Sequence, residues 1–193
     1  SFILDTESAS PQVKTQNVKK TKGSSKPNTI QGIGFTAVLS DSKDLLNKPF
    51  LFSISDSVIS FGNIKPGEPV VRNQAISLTP GSANGYQVLA SEAHPLRSVD
   101  KNEIPNTSCD NGNCTNKLAD YWQLPLTYGF GYRCENIINQ PCLAGINENT
   151  YKRFSNEEVD EQASLLLYSG TRENSKALIE YKINVPGNQP DSS

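Results

Sequence analysis

Apolar residues recur at every second position in short bursts along most of this chain. Ile33, Phe35, Ala37 and Leu39 alternate with Gly34, Thr36 and Val38, the period of a strand with one buried face. Phe50, Phe52 and Ile54 alternate with Leu51 and Ser53 in the same way. Val58 to Phe61 stops at Gly62, and Ile64-Lys65-Pro66-Gly67 supplies a turn. Ala75 to Leu78 predicts another strand, ended by Thr79-Pro80-Gly81. Asn84-Gly85 is the strongest turn dipeptide, and Tyr86-Gln87-Val88-Leu89-Ala90 leaves it as a strand. Tyr128, Phe130 and Tyr132 fall on one face, with Gly129 and Gly131 on the other. Two glycines on one strand face predict close approach by another stretch of backbone. Leu165 to Tyr168 precedes a turn at Gly170, and Ile179, Tyr181, Ile183 and Val185 alternate with Glu180, Lys182 and Asn184.

Helix signals are few. Ser155-Asn156-Glu157-Glu158 has the form of a capping box and predicts a short helix through Ala163. Lys117 to Trp122 predicts one more turn or two. Many short strands at roughly ten-residue spacing, punctuated by Gly and Pro, make the fold class all-β, an antiparallel β-sandwich. The division that follows is an extended N-terminal arm over 1–28, a sandwich over 29–187 and a tail over 188–193. The arm opens on a small apolar patch, Phe2-Ile3-Leu4, and continues polar and dotted with Lys14, Lys19, Lys20, Lys22 and Lys26. A stretch so poor in apolar residues does not offset its own ordering entropy.

Composition narrows the function classes. The chain has 193 residues, 35% of them hydrophobic, with 20% charged and a net charge of −2. That balance gives no reason to expect nucleic acid or an anionic membrane as partner. No apolar run approaches the ~20 residues needed to cross a bilayer. Met is absent, so Ser1 is not a translation start, and removal of a secretory signal is the expected cause. Four cysteines fall in two local pairs, Cys109 with Cys114 and Cys134 with Cys142. The even count at short spacing reads as two disulfides formed in an oxidising, extracellular setting. The rival is a four-thiolate zinc site, although these spacings depart from the C-x2-C of zinc knuckles. Local pairing is the preferred one of three connectivities.

The run Ser57-Val58-Ile59-Ser60-Phe61-Gly62-Asn63-Ile64-Lys65-Pro66-Gly67-Glu68-Pro69-Val70, followed by Asn84-Gly85-Tyr86-Gln87-Val88, carries a resemblance. It resembles the opening strands of bacterial secreted surface proteins with an I-x-F-G-x-(I/L)-x-P-G-x-P signature, a later G-Y-x-V strand and a closing Y-x-(I/V)-x-V strand. Glu92-x-His94-Pro95-Leu96, Cys109-Asp110-Asn111-Gly112-x-Cys114 and Leu126 to Cys134 extend the likeness to surface proteins of small-genomed, uncultured bacteria. The likeness covers about Phe52 to Val185 and implies an immunoglobulin-like sandwich, distantly similar to WxL-type cell-wall domains and fimbrial subunits. In such proteins the closing strand is expected to run on through G-T-Y into one more strand. Here Asn184-Val185-Pro186-Gly187 is followed only by 188–193. The expectation is an open groove between sheet edges where that strand is missing, and an open edge seeks another strand. Phe2, Ile3 and Leu4 are then candidate subunit contacts, donated to a neighbouring copy in a homopolymer by β-strand addition. The competing expectation is that the arm folds back as an internal strand.

Candidate chemistry is thin. His94, the only histidine, shares strand parity with Glu92, yet no nucleophile elbow accompanies it and a structural, hydrogen-bonded role is expected. Asp110, Asn111 and Asn113 on the loop closed by Cys109 and Cys114, with Asp120 nearby, offer the oxygen ligands calcium prefers. Asn147-Glu148-Asn149 is a weaker cluster of the same kind. Tyr121, Trp122 and Tyr128 are a possible ligand platform for stacking a surface glycan if exposed, and core if not. Asn106-Thr107-Ser108 and Asn113-Cys114-Thr115 fit the glycosylation pattern, and Lys182 with Asn184 is the pair considered for an isopeptide cross-link. No enzyme, and no cofactor beyond the calcium, is expected. The functional expectation is a structural subunit of an extracellular filament or surface array; the alternative is a monomeric adhesin or carbohydrate-binding module that meets a glycan or host cell.

Overall fold

The computed structural model describes residues 2–8, 30–40, 49–97, 102–143 and 148–187. In chain order the strands are β1 Phe2–Ser8, β2 Ile30–Leu39, β3 Leu51–Ile54, β4 Val58–Gly62, β5 Val70–Thr79, β6 Tyr86–Glu92 and β7 Leu96–Arg97. They continue as β8 Glu103–Ile104, β9 Asp120–Tyr121, β10 Gly129–Ile138, β11 Thr150–Tyr151, β12 Ser155–Asn156, β13 Ser164–Ser169 and β14 Ser175–Asn184. Each run of period-two alternation has become a strand. β5 extends further toward its N-terminus than the pattern implied, because Val71, Arg72 and Asn73 are all exposed and carry no alternation.

Two sheets face each other. The first runs β4-β1-β2-β6, and beyond β6 its edge is shared by β13 along Tyr86–Ala90 and β12 at Ser91 and Glu92. The second runs β3-β5-β14-β10, antiparallel throughout. Ile33, Phe35, Ile59, Phe61, Val88 and Ala90 come from the first sheet. They meet Ile76, Leu78, Phe130, Tyr132, Ile179, Tyr181 and Ile183 of the second in one buried cluster. The aromatic rings interlock: Phe130 lies edge-on to Phe61 at 6.1 Å, and Tyr132 stacks on Phe154 at 4.0 Å. Such pairs add to the gain from burying their area.

The expected disulfides are both present, with Cα separations of 5.4 Å for Cys109–Cys114 and 5.8 Å for Cys134–Cys142. The second joins the two layers, since Cys134 lies in β10 while Cys142 forms a bridge with Leu167 of β13.

The expected helices are corrected. Over 155–163 only a single 3-10 turn forms, Glu157–Val159. Ser155 and Asn156 are instead drawn into β12 beside β6, Asn156 caps Glu158 N, and Asp160 at φ 59° ends the turn. Lys117 to Trp122 is likewise not helical; Asp120 and Tyr121 form β9, paired with β11.

Candidate functional site

The N-terminal strand occupies a slot inside a sheet. β1 pairs parallel with β2, Leu4 opposite Ile30 and Ser8 opposite Phe35. On its other side it pairs antiparallel with β4, Ile3 opposite Ser60 and Asp5 opposite Val58. Among the described residues β4 joins its sheet only through β1. Of the two expectations for Phe2, Ile3 and Leu4, the chain in isolation adopts the folded-back one. Among the described residues no edge of the closing strand is open, because β14 is flanked by β10 and β5. The incompleteness lies elsewhere, between β2 and β4, and β1 fills it. The arm residues 9–29 and the tail 188–193 lie outside the described residues.

The other edges are short or covered. β3 has four residues. The free side of β10 is met by Asn106, bridged to Phe130, and by Lys152, bridged to Tyr132. Arg72 donates from Nε to Ser60 O at 2.8 Å, occupying a carbonyl of β4. Covered edges are how sheets avoid unwanted pairing.

The segment 105–128 wraps over the outer face of β10 and β14. Gly129 and Gly131 permit this. A Cβ on Gly129 would lie 2.7 Å from the Thr107 backbone, and its φ of +125° further disfavours side chains. One on Gly131 would lie 2.7 Å from Thr107 Cγ2 and 3.3 Å from the Trp122 ring. The approach expected from the glycine spacing is therefore real. Beneath the wrap, Cys109, Cys114, Trp122 and Tyr151 form a second small core. Lys182 seals it, with its ammonium 4.6 Å from the Trp122 ring and donating to Trp122 O at 2.6 Å. Burial pushes the Lys182 ammonium below its ordinary range. Asn184 donates to the carbonyls of Pro125 and Thr127 at 3.0 and 2.8 Å. The two residues considered for a cross-link thus each hold this wrap by hydrogen bonds.

Trp122 takes the core side of the alternative drawn for the aromatic group. Its indole is 0% exposed, with Nε1 donating to Thr127 O at 3.0 Å. Tyr121 is 51% exposed and Tyr128 partly buried, so the three rings do not form one solvent-facing surface.

The four oxygen-bearing residues divide. Asp110 turns its carboxylate to the 123–127 turn, accepting from Gln123 N at 2.7 Å, Leu124 N at 3.2 Å and Thr127 Oγ1 at 2.6 Å. Burial works to raise its pKa, but these donors outweigh it and hold the group below the usual range. Asn111 Nδ2 donates to Asp120 Oδ1 at 3.3 Å, and Asn113 is exposed. Of the weaker cluster, Asn147 lies outside the described residues. His94 Nδ1 lies 2.7 Å from Pro95 O, beyond the end of β6.

Two buried ionisable groups were not expected. Glu92 is 1% exposed. Its Oε1 accepts from Asn106 Nδ2 at 2.5 Å, while Glu92 Oε2 and Asn106 Oδ1 are both buried without a partner. Burial raises its pKa to about 7 against the lowering effect of Asn106 and Arg153. The parity of Tyr86, Val88, Ala90 and Glu92 along β6 is the signal that places it inward. Lys152 is 3% exposed, two residues before the buried Phe154.

No model of a known protein family, no curated protein and no solved structure matches the chain.

Proposed function

We propose that the protein is a structural subunit of an extracellular filament or surface array, in which copies are joined head to tail by exchange of β1. In the assembled state, the slot between β2 and β4 receives the N-terminal strand of the neighbouring copy. The observation that carries this reading is the position of β1. It is an interior strand, it is joined to β2 through residues 9–29, and it is the sole link of β4 to its sheet among the described residues.

Topology supports the exchange. β1 and β2 run parallel, so the chain must return the length of β1 before β2 begins. The connecting residues 9–29, roughly 20 of them, reach at most ~70 Å. A single return needs only about 23 Å, the length of seven strand residues. The surplus is enough to carry β1 to an adjacent molecule. A donor of this kind makes a heterologous contact, which propagates without closing. Two disulfides fit an oxidising exterior, and the largely antiparallel two-sheet frame, with β1 and β12 paired parallel, fits an immunoglobulin-like reading.

Deletion of residues 1–29 is the test. The truncated chain is expected to form no filaments under electron microscopy and to regain thermal stability when a peptide of residues 1–10 is added. Filaments formed by the truncated chain would contradict the proposal.

A further inference from the structure

A cavity of about 790 Å³ lies where the loop after Cys114, the β11–β12 segment and the start of β13 meet. We infer that it binds a ligand bearing a carboxylate on a hydroxyl-rich frame, the chemistry of an acidic sugar, with Lys152 as the counter-charge. The inference is independent of strand exchange and involves none of the residues of the β1 slot.

Lys152 lines the cavity and is bridged to Tyr132 through both backbone hydrogen bonds, at 2.9 and 2.8 Å. Directly opposed residues of an antiparallel pair share a face, so its side chain lies inward with the Tyr132 ring. The ammonium sits 5.5 Å from the centre of that ring. Among the described residues no carboxylate pairs with it and no acceptor takes its protons. A buried charge left in this state is costly, and an aromatic face offsets only part of the cost. An anion entering the cavity supplies what the described residues do not.

Among the described residues, the neighbouring charges do not pair with Lys152. Arg153 is engaged with Glu161, donating from its two terminal nitrogens at 2.6 Å each. Glu161 also accepts from Asn156 N at 2.9 Å, so both its oxygens are used. Lys117, exposed, adds a second cation at the rim. Gln162 adds an amide to the walls, and Thr115, Asn116 and Ser164, already bonded to Lys117 N and Leu118 N, to Ser155 Oγ and to Ser155 Oγ respectively, retain further hydrogen-bonding capacity of the kind hydroxyls use. The volume falls within the roughly 300–1,000 Å³ of small-ligand sites.

Titration of the full chain with glucuronate, glucose and acetate, followed by NMR, tests this. Glucuronate is expected to bind saturably, with glucose and acetate each at least ~10-fold weaker. Lys152→Met is expected to weaken glucuronate at least ~10-fold while leaving the melting temperature unchanged or raised. Burial holds the Lys152 ammonium down to about 8, and Lys117, Arg153, Glu161 and Tyr132 are the other ionisable groups around it. Glucuronate affinity should therefore fall between pH 7 and pH 9, a readout on the unaltered chain. Absence of saturable glucuronate binding, equal binding by Lys152→Met, a flat pH profile, or acetate binding as tightly as glucuronate would each overturn the inference.

Discussion

Glu92 takes a carboxyl group into the core, where burial favours the neutral form against the opposing pull of Asn106 and Arg153. Its folded pKa of about 7 lies above the ordinary 4.5, so the native state binds the proton more tightly than the unfolded chain. Its contribution to stability is fully present below about pH 4.5 and is lost as the pH rises through 7, a change of about 3 kcal/mol. Glu161 acts in the opposite sense: the Arg153 hydrogen bonds hold it down to about 2, so its contribution is present above about 4.5 and is lost toward pH 2. Denaturant midpoints measured at pH 5 and pH 8 should show the native chain weaker at pH 8. Glu92→Gln, whose amide can serve the unpartnered Asn106 Oδ1, should remove most of that difference; an undiminished slope in the variant contradicts the assignment. At this scale the sequence was legible where local pattern decides. The cysteine spacing predicted both disulfides, and Gly129 with Gly131 predicted the close approach. For Trp122 the core role is argued from strand alternation, whereas its burial comes from Gly131 and Lys182 of distant strands, and no period marks a loop residue as core.

Elements were read from alternation and misread where tertiary pairing overrode local preference. Ser155 to Glu158 has the residues of a helix start, but β6 offers Ser155 and Asn156 ladder partners, and Asp160 then ends the turn. The placement of β1 was beyond sequence reasoning for a related cause. Two neighbours, β2 and β4, contribute to its position; β2 begins only at Ile30 and β4 only at Val58, so both pairings join stretches far apart in the chain. The Cys134–Cys142 bond is the element-scale prediction. It ties β10 of one sheet to the bridge with β13 of the other. Replacing both with Ala should lower unfolding free energy by about 2–4 kcal/mol, read as a fall in the denaturant midpoint. A change below ~0.5 kcal/mol would show that the bond contributes nothing beyond the local loop.

For the whole molecule, the account rests on a sandwich whose edges are short or covered among the described residues, with one interior position filled by β1, which residues 9–29 join to β2. Strand exchange conserves every backbone hydrogen bond of the slot and changes only which chain supplies the strand, so two copies lose little by trading. It also predicts that assembly depends on concentration, since a partner in trans competes with the chain's own β1. The cavity around Lys152 lies away from the slot, and its occupancy should not alter assembly. The most direct measurement places a cysteine on each side of the slot, Leu4→Cys with Ile59→Cys, at positions that face each other across β1 and β4. Oxidised at high protein concentration and run on a non-reducing denaturing gel, this variant should give a ladder of covalent oligomers. A single monomer band at every concentration would show that β1 never leaves its own chain, and would contradict the account.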